Sequence, residues 1–321
     1  MTDRVIIDTD TATDDTLGIL LAVLSDRADV EALTIGAGNV DFDRQVENAK
    51  YTLQLADAAE EIPVYEGART PLVKDHDHAT DVHGEGGLGP DLVPDTDVPS
   101  AEEFAPAFIA DAAREHPGEI TLVCLAPLTN LALALQREPD LGDLLADVVV
   151  MGGNVHTPGN ITPAAEFNFW ADPDAAKIVL GELDVTLVDW GLTLRDGTLD
   201  GAAEEQILDA AEDSRFAAFY ETVFQSDPDA EGTGPDRKET LQPDALAAAV
   251  AIAPELVEER GSYAVDVDER EGLTRGYTVV DTNGVTDRQA HTDVIESVDA
   301  NSFRQLLVDM LVADDPGRSF R

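Results

Sequence analysis

Residues 4–24 read RVIIDTDTATDDTLGILLAVL, and this stretch decides the fold. Arg4-Val5-Ile6-Ile7-Asp8 is short, apolar and ends in acid, the pattern of a buried strand. Residues 14–24 are apolar on nearly every side, as in a helix packed against a sheet. Between the two, Asp8, Asp10, Asp14 and Asp15 place four carboxylates within eight residues. The order is strand, acidic turn, buried helix.

The alternation continues downstream. Residues 30–37 predict a strand, 43–58 a helix with Val46, Ala49, Leu53 and Ala56 on one stripe, and 62–65 a short strand. After a Gly-, Pro-, His- and Asp-rich stretch at 67–101, helices are expected near 102–115, 127–137 and 172–181. Strands are expected at 119–124, 147–151 and 185–188. Residues 202–224 predict one helix whose aromatic stripe, Phe216, Phe219, Tyr220 and Phe224, reads as core or subunit packing. A polar loop at 226–240, a helix at 243–252, strands near 263–267, 274–280 and 291–298, and a helix at 301–312 complete the chain. This is an α/β fold: an open, mainly parallel, Rossmann-like sheet with helices on both faces, plus a helical C-terminal portion. No repeat and no Gly/Ser linker divides it. One domain over 1–321 is expected, with 67–101 and 226–240 as its active-site loops.

The 321 residues are 43% hydrophobic, enough for a sizeable core. Acidic residues number 66 against 20 basic, for a net charge of −46, and the only lysines are Lys50, Lys74, Lys177 and Lys238. Such a surface repels phosphate, which argues against nucleic acid or an anionic membrane as partner. The acid accompanies ordered aliphatic blocks, so it belongs on a folded body and not to a disordered chain. At molar salt the Debye length falls to about 3 Å and the self-repulsion is screened. The composition therefore predicts adaptation to a salt-rich compartment; generic acidity is the bland alternative. Cys124 is the sole cysteine and reads as a buried, inert thiol. The first residues carry no signal-peptide pattern and no apolar run approaches 18 residues, so a soluble cytoplasmic protein is expected.

Polar groups recur where strands end. Asp8 and Asp10, Asn39, Leu125 to Pro127, Gly152 to Asn154, and Asp189 with Trp190 each follow a predicted strand. In parallel α/β sheets those ends border the ligand crevice. Clustered carboxylates repel one another, and a hard divalent cation resolves the conflict. The competing reading is a capping cluster in a protein that is acidic everywhere. Glu166 and Asn168 stand in an aromatic setting, either as a core element or as a sugar-hydroxyl clamp. His83, beside glycines in HGEGGLG, has the best claim among six histidines to a substrate contact.

Together these motifs resemble the calcium-dependent nucleoside hydrolases, the inosine–uridine-preferring N-ribohydrolases, and the acidic composition suggests a haloarchaeal-type member. The family opens on a strand followed by DxDPGxDDA; here Asp8 to Thr16 read DTDTATDDT. The likeness runs on through Gly38-Asn39, the His83 to Gly89 loop, Leu128 to Asn130, Val150 to Gly153, Asn160, Glu166 to Asn168, Asp172-Pro173 and Pro243 to Ala245. It implies hydrolysis of ribonucleosides to ribose and free base by a calcium-bound water that Asp10 deprotonates. It makes Asp10, Asp15, the Leu125 carbonyl and Asp244 the Ca2+ ligands. Asn39 joins Asp10 in catalysis. Asp14, Asn39, Asn160, Glu166, Asn168 and Asp244 become ribose contacts. A homodimer or homotetramer is implied as well.

Two departures stand out. The family's Pro-Gly is Thr11-Ala12, which removes a residue with conformational freedom. The histidine that precedes the late aspartate in some members is Pro243, which cannot donate a proton to the departing base. His83, Trp190 and Arg237 are the base-side candidates, with Trp170, Phe167 and Asp236 behind them. A haloacid-dehalogenase-like phosphatase also begins with a strand and Asp-x-Asp, but the MGG and EFN elements fit it poorly. A calcium-dependent riboside-binding protein, or a hydrolase of a specialised riboside, is the remaining alternative.

Overall fold

The computed structural model describes residues 3–90, 92–224 and 239–313. β1 (Asp3–Thr9) leads into α1 (Thr13–Val23), β2 (Ala28–Ile35), α2 (Phe42–Leu55) and β3 (Val64–Glu66). A short helix, α3 (Thr80–His83), interrupts the long connection to α4 (Ala105–Glu115). Then come β4 (Ile120–Cys124), α5 (Thr129–Arg137), α6 (Leu141–Leu144) and β5 (Asp147–Met151). They are followed by α7 (Phe167–Ala171), α8 (Pro173–Glu182), β6 (Val185–Val188) and α9 (Trp190–Asp196). The last third holds β7 (Thr198–Asp200), α10 (Gly201–Asp209), α11 (Arg215–Phe224), β8 (Glu239–Leu241) and α12 (Pro243–Ile252). It closes with β9 (Val257–Tyr263), β10 (Val265–Val267), β11 (Thr278–Val280), β12 (Thr292–Val298) and α13 (Ala300–Val312).

Eight strands form one sheet in the order β3-β2-β1-β4-β5-β6-β12-β9. Neighbours pair in parallel, except that β9 runs antiparallel to β12 at one edge. The mainly parallel α/β expectation therefore holds. β1 sits between β2 and β4, so the order of addition reverses there, and the crevice opens at the carboxyl ends of those strands. One face of the sheet packs Leu17, Leu20, Leu53, Leu246 and Phe303, among others; the opposite face packs Ile109, Leu131, Val179 and Leu187. No helix among the described residues is long and apolar enough to cross a membrane.

α12 matters most for the site. Its DALAAAVAI run is small and apolar all round, and the helix is almost wholly buried against α1. A Cβ on Gly18 would stand 3.0 Å from the Asp244 carbonyl oxygen. That close approach sets the first turns of α1 and α12 side by side, with both helix dipoles presenting positive ends to one spot.

Several expectations need correction. Residues 202–224 form two helices, α10 and α11, and Ser214, just before the second, binds the Leu311 and Ala313 carbonyls through its hydroxyl at 2.7 and 2.9 Å. The expected strand at 263–267 breaks at Ala264 into β9, which begins earlier, and β10. The strand expected at 274–280 shrinks to β11, since Gly276 turns the chain at φ 77°. Trp190 does not merely follow a strand; it opens α9, which Asp189 caps by accepting from the Gly191 and Leu192 amides at 2.8 and 3.1 Å. The aromatic stripe lies in the core, with Phe216, Phe219 and Tyr220 buried and Phe224 packed against them. Most of the 226–240 loop lies outside the described residues; Glu239–Leu241 forms β8 against β7.

Candidate active site

Five elements deliver the polar groups. Asp10 follows β1, Asp14 and Asp15 fill the first turn of α1, Asn39 follows β2, Leu125 follows β4, and Asp244 lies in the first turn of α12. Carboxylate oxygens of Asp14, Asp15 and Asp244 all lie within 4.8 Å of one another. Asp10 is close enough to raise, and be raised by, its neighbours' charge.

Asp10 and Asp15 are each held by hydrogen bonds. Asp10 Oδ2 accepts the Asn39 amide at 2.8 Å. A Cβ at residue 38 would fall 1.8 Å from that same oxygen, so only glycine fits at Gly38. Asp15 Oδ1 accepts the Thr9 hydroxyl at 2.5 Å, and Thr11 supports Thr9 at 3.0 Å. Asp15 Oδ2 accepts the Ala12 amide at 2.9 Å and the Asn39 side chain at 3.3 Å. Ala12 has φ −127° and ψ −154°, ordinary extended backbone, so alanine sits where the family has glycine without strain. Thr11 adds a hydroxyl that proline lacks.

The remaining oxygens are not satisfied. Asp10 Oδ1 and Asp14 Oδ1 are buried with no hydrogen-bond partner. Burial first, and then the other carboxylates, pushes Asp15 up to about 6 and Asp10 and Asp244 well above the usual range. Burial also takes Asp14 to about 6. Asp14 and Asp15 in the first turn of α1, Asp244 in the first turn of α12 and Asp10 after β1, with bare oxygens on Asp10 and Asp14, suit a hard divalent cation in charge and donor type.

The flank of the site is built on α7. Glu166 caps it, accepting from the Asn168, Gly153 and Phe169 amides at 2.8, 2.8 and 3.3 Å, and burial raises it to about 7. Asn168 donates its side-chain amide to the Leu125 carbonyl at 2.7 Å and to the Met151 carbonyl at 3.2 Å. Asn160 is exposed and accepts the Phe167 amide at 2.9 Å. His83 ends α3, buried, with Nδ1 2.6 Å from the Thr13 hydroxyl and 3.8 Å from Asp14 Oδ1. Trp190 is half-buried and packs against the core, its amide bound to the Gly153 carbonyl at 2.9 Å. Arg237 and Asp236 lie outside the described residues.

Sequence reasoning missed the residues that hold the 67–101 stretch in place. Asn48 on α2 donates to the Thr11 carbonyl at 3.0 Å and the Gly86 carbonyl at 2.9 Å, joining the acidic turn to the His83 loop. His76 and His78 both reach the Gly38 carbonyl, at 2.9 and 3.3 Å, and the Ala79 amide donates to the Asn39 carbonyl at 2.7 Å. Asp172 accepts from Leu72 N, Thr129 Oγ1 and Ala175 N at 2.9, 2.6 and 3.0 Å. Asn48 sits on the helix's buried side, and a buried amide in an apolar stripe was the available signal.

The chain belongs to the inosine-uridine preferring nucleoside hydrolase family, whose model matches residues 5–305. It is thus an N-ribohydrolase, an enzyme that hydrolyses ribonucleosides to ribose and base. It is 32% identical over 310 residues to the non-specific ribonucleoside hydrolase RihC of Shigella boydii, covering 96% of this chain and 97% of that one. It is 33% identical over 318 residues to the pyrimidine-specific ribonucleoside hydrolase RihA of Shewanella woodyi, covering 97% and 98%. Among solved structures, the purine-preferring ribonucleoside hydrolase from Gardnerella vaginalis superimposes with a TM-score of 0.87 at 30% identity, covering 96% and 98%. These relatives are bacterial, and the haloarchaeal lineage expected from composition finds no support in them.

Proposed function

We propose that the chain cleaves the N-glycosidic bond of ribonucleosides with the help of one calcium ion held by Asp10, Asp15, the Leu125 carbonyl and Asp244. The observation that supports this is the pair of bare buried oxygens, Asp10 Oδ1 and Asp14 Oδ1, beside an Asp15 held by Thr9 and Ala12. The cation, when bound, supplies Lewis acidity toward water and ribose hydroxyls. Asp10 receives a proton from the attacking water at Oδ1, because Oδ2 is committed to the Asn39 amide. Asn39 holds Asp10 and Asp15 in register through its amide and its side chain. Asp14, Asn160, Glu166 and Asn168 orient the ribose together with Asp244. The carboxylates stabilise positive charge developing on the ribosyl ring. One displacement by water needs no covalent intermediate, so the anomeric centre inverts.

On the base side, His83 is the contact nearest the acidic turn. Pro243 leaves no proton donor in the first position of α12, so leaving-group activation falls to other groups, Trp190 and Arg237 among those proposed. The relatives differ in base preference at nearly equal identity, so identity does not rank the bases. The chain is proposed as one domain that works in the cytoplasm of a salt-rich cell. It is further proposed to assemble as a homodimer or homotetramer, with the −46 charge screened by salt.

The test is reducing-sugar release from inosine, adenosine, guanosine, uridine and cytidine in molar KCl without phosphate. It is run with Ca2+ and with excess chelator. Chelator-sensitive release establishes the mechanism class, and the ranking gives the base preference. Folded protein that binds Ca2+ yet releases no ribose overturns the reading in favour of a riboside-binding role.

A further inference from the structure

We propose that Thr13 is a positioning residue for His83: it fixes the imidazole so that Nδ1 keeps its proton and Nε2 is the nitrogen presented to the ligand. The proposal rests on the reading of His83 as a base-side residue and adds how that ring is oriented and by what.

The geometry carries it. The His83 ring is buried with 8% exposure, and its Nδ1 edge faces two oxygens. Thr13 Oγ1 stands at 2.6 Å and Asp14 Oδ1 at 3.8 Å. A carboxylate oxygen can only accept, so that edge of the pocket favours a proton on Nδ1. The Thr13 hydroxyl accepts from that Nδ1–H, which leaves its own hydrogen for a different acceptor. The order His83 Nδ1–H to Thr13 is the same for a neutral or a protonated ring, so no titration is required. Among the described residues, no hydrogen bond reaches Nε2.

The platform under the ring is fixed as well. The His83 amide donates to the Ala79 carbonyl at 3.2 Å, and the Gly89 amide donates back to the His83 carbonyl at 3.1 Å. Asn48 pins Gly86 of the same loop. The main chain being held, the hydroxyl of residue 13 decides which ring nitrogen is protonated. That position is the second unspecified one in DxDPGxDDA, and a β-branched apolar residue there would fill the space without directing the ring.

Thr13→Val keeps the shape and removes the hydroxyl, and Thr13→Ser keeps the hydroxyl. The expected result for Thr13→Val is a fall in kcat of about tenfold on the best ribonucleoside with KM within about threefold, the scale of one lost buried hydrogen bond. Thr13→Ser should recover to within about twofold of the original enzyme. Calcium affinity, titrated with the metal alone, should stay within about threefold for both, since the metal-side contacts of Asp15 are untouched. In 15N-histidine spectra, His83 should report a protonated Nδ1, and the Thr13→Val variant should lose that preference. Thr13→Val should add nothing in a His83→Ala background. A large loss of calcium affinity in Thr13→Val overturns the proposal by placing Thr13 in the metal cradle. So does a full effect of Thr13→Val when His83 is already alanine. If His83→Ala is silent on every base, the base-side reading of His83 fails and takes the proposal with it. If His83→Ala is damaging and Thr13→Val is silent, only the proposal fails.

Discussion

The side-chain amide of Asn168 meets the main-chain carbonyl of Leu125 at 2.7 Å, tying the cap of α7 to the end of β4. A carbonyl has two lone pairs, so one can hold the amide while the other faces the acidic cluster. In the proposed site Asn168 would thereby orient a ligand atom besides contacting ribose. Asn168→Ala is expected to weaken calcium binding about 10- to 100-fold, the usual cost of losing an outer-shell partner. Leu125→Met should leave it within about twofold, because the ligand atom is main chain. Calorimetric titration with Ca2+ compares the two, and equal losses would remove the carbonyl from the ligand set.

Asp244 faces Asp10, Asp14, Asp15 and Glu166 in a buried space. Without metal that assembly is repulsive. Asp244→Asn should therefore raise the melting temperature of chelator-treated protein while abolishing the rise that calcium gives the original chain. Melting curves in molar KCl, with and without calcium, check both signs. A calcium-induced rise that survives the substitution would take Asp244 out of the site.

Acidity of the same pocket gives a pH dependence whose sign is fixed. In metal-free protein, burial raises Asp8, Asp14 and Asp15 to about 6 and Glu166 to about 7. Unfolded carboxylates titrate near 4. The folded state thus binds these protons more tightly, so the stability they contribute is full below about pH 4 and is lost as pH rises through 6 to 7. Denaturant midpoints for chelated protein should be higher at pH 5 than at pH 8. Calcium affinity runs the other way, because binding must expel those protons. Titrations in buffers of different ionisation enthalpy count them, and heats that do not vary with buffer contradict the argument.

Asp172 shows how much of the structure was legible and where reading stopped. The strands at 147–151 and 185–188 and the helix at 243–252 match the structure residue for residue, because uniform apolar runs bounded by turn residues carry their own limits. Asp14 and Asp15 stand in the first turn of α1 as the strand, turn and helix order predicts, whereas Asp244 was set beside them by the family resemblance alone. The 67–101 stretch gave only composition. Its attachment depends on single long-range hydrogen bonds, such as Leu72 N to Asp172 across 100 positions, and no periodicity marks these. The Ser214 tie to Leu311 and Ala313 escaped for the same reason, since those partners lie about a hundred residues away. Asp172-Pro173 was visible as a motif, but its role in holding Leu72 was not. Asp172→Ala should cost about 2–3 kcal/mol by stranding two buried donors and one part-buried donor. Partial proteolysis should find new cleavage near residue 72, and an unchanged digestion pattern would show the attachment to be redundant.

Salt supplies a fifth expectation. With −46 charges and a high share of short acidic side chains, the melting temperature should climb steeply from 0.1 to 3 M KCl. The increase should exceed that of a neutral control of equal size. A flat response would leave the acidity without a physical role.

The ties that hold the site loops end largely on main-chain carbonyls: Thr11 and Gly86 for Asn48, Gly38 for His76 and His78. A carbonyl is the same whichever side chain it carries. Substitutions at position 11 can therefore accumulate without loosening the fastening, and the present Thr11-Ala12 in place of Pro-Gly is an instance. The framework around the acidic turn is inherited as backbone, while the side chains that meet the base are left free to diverge.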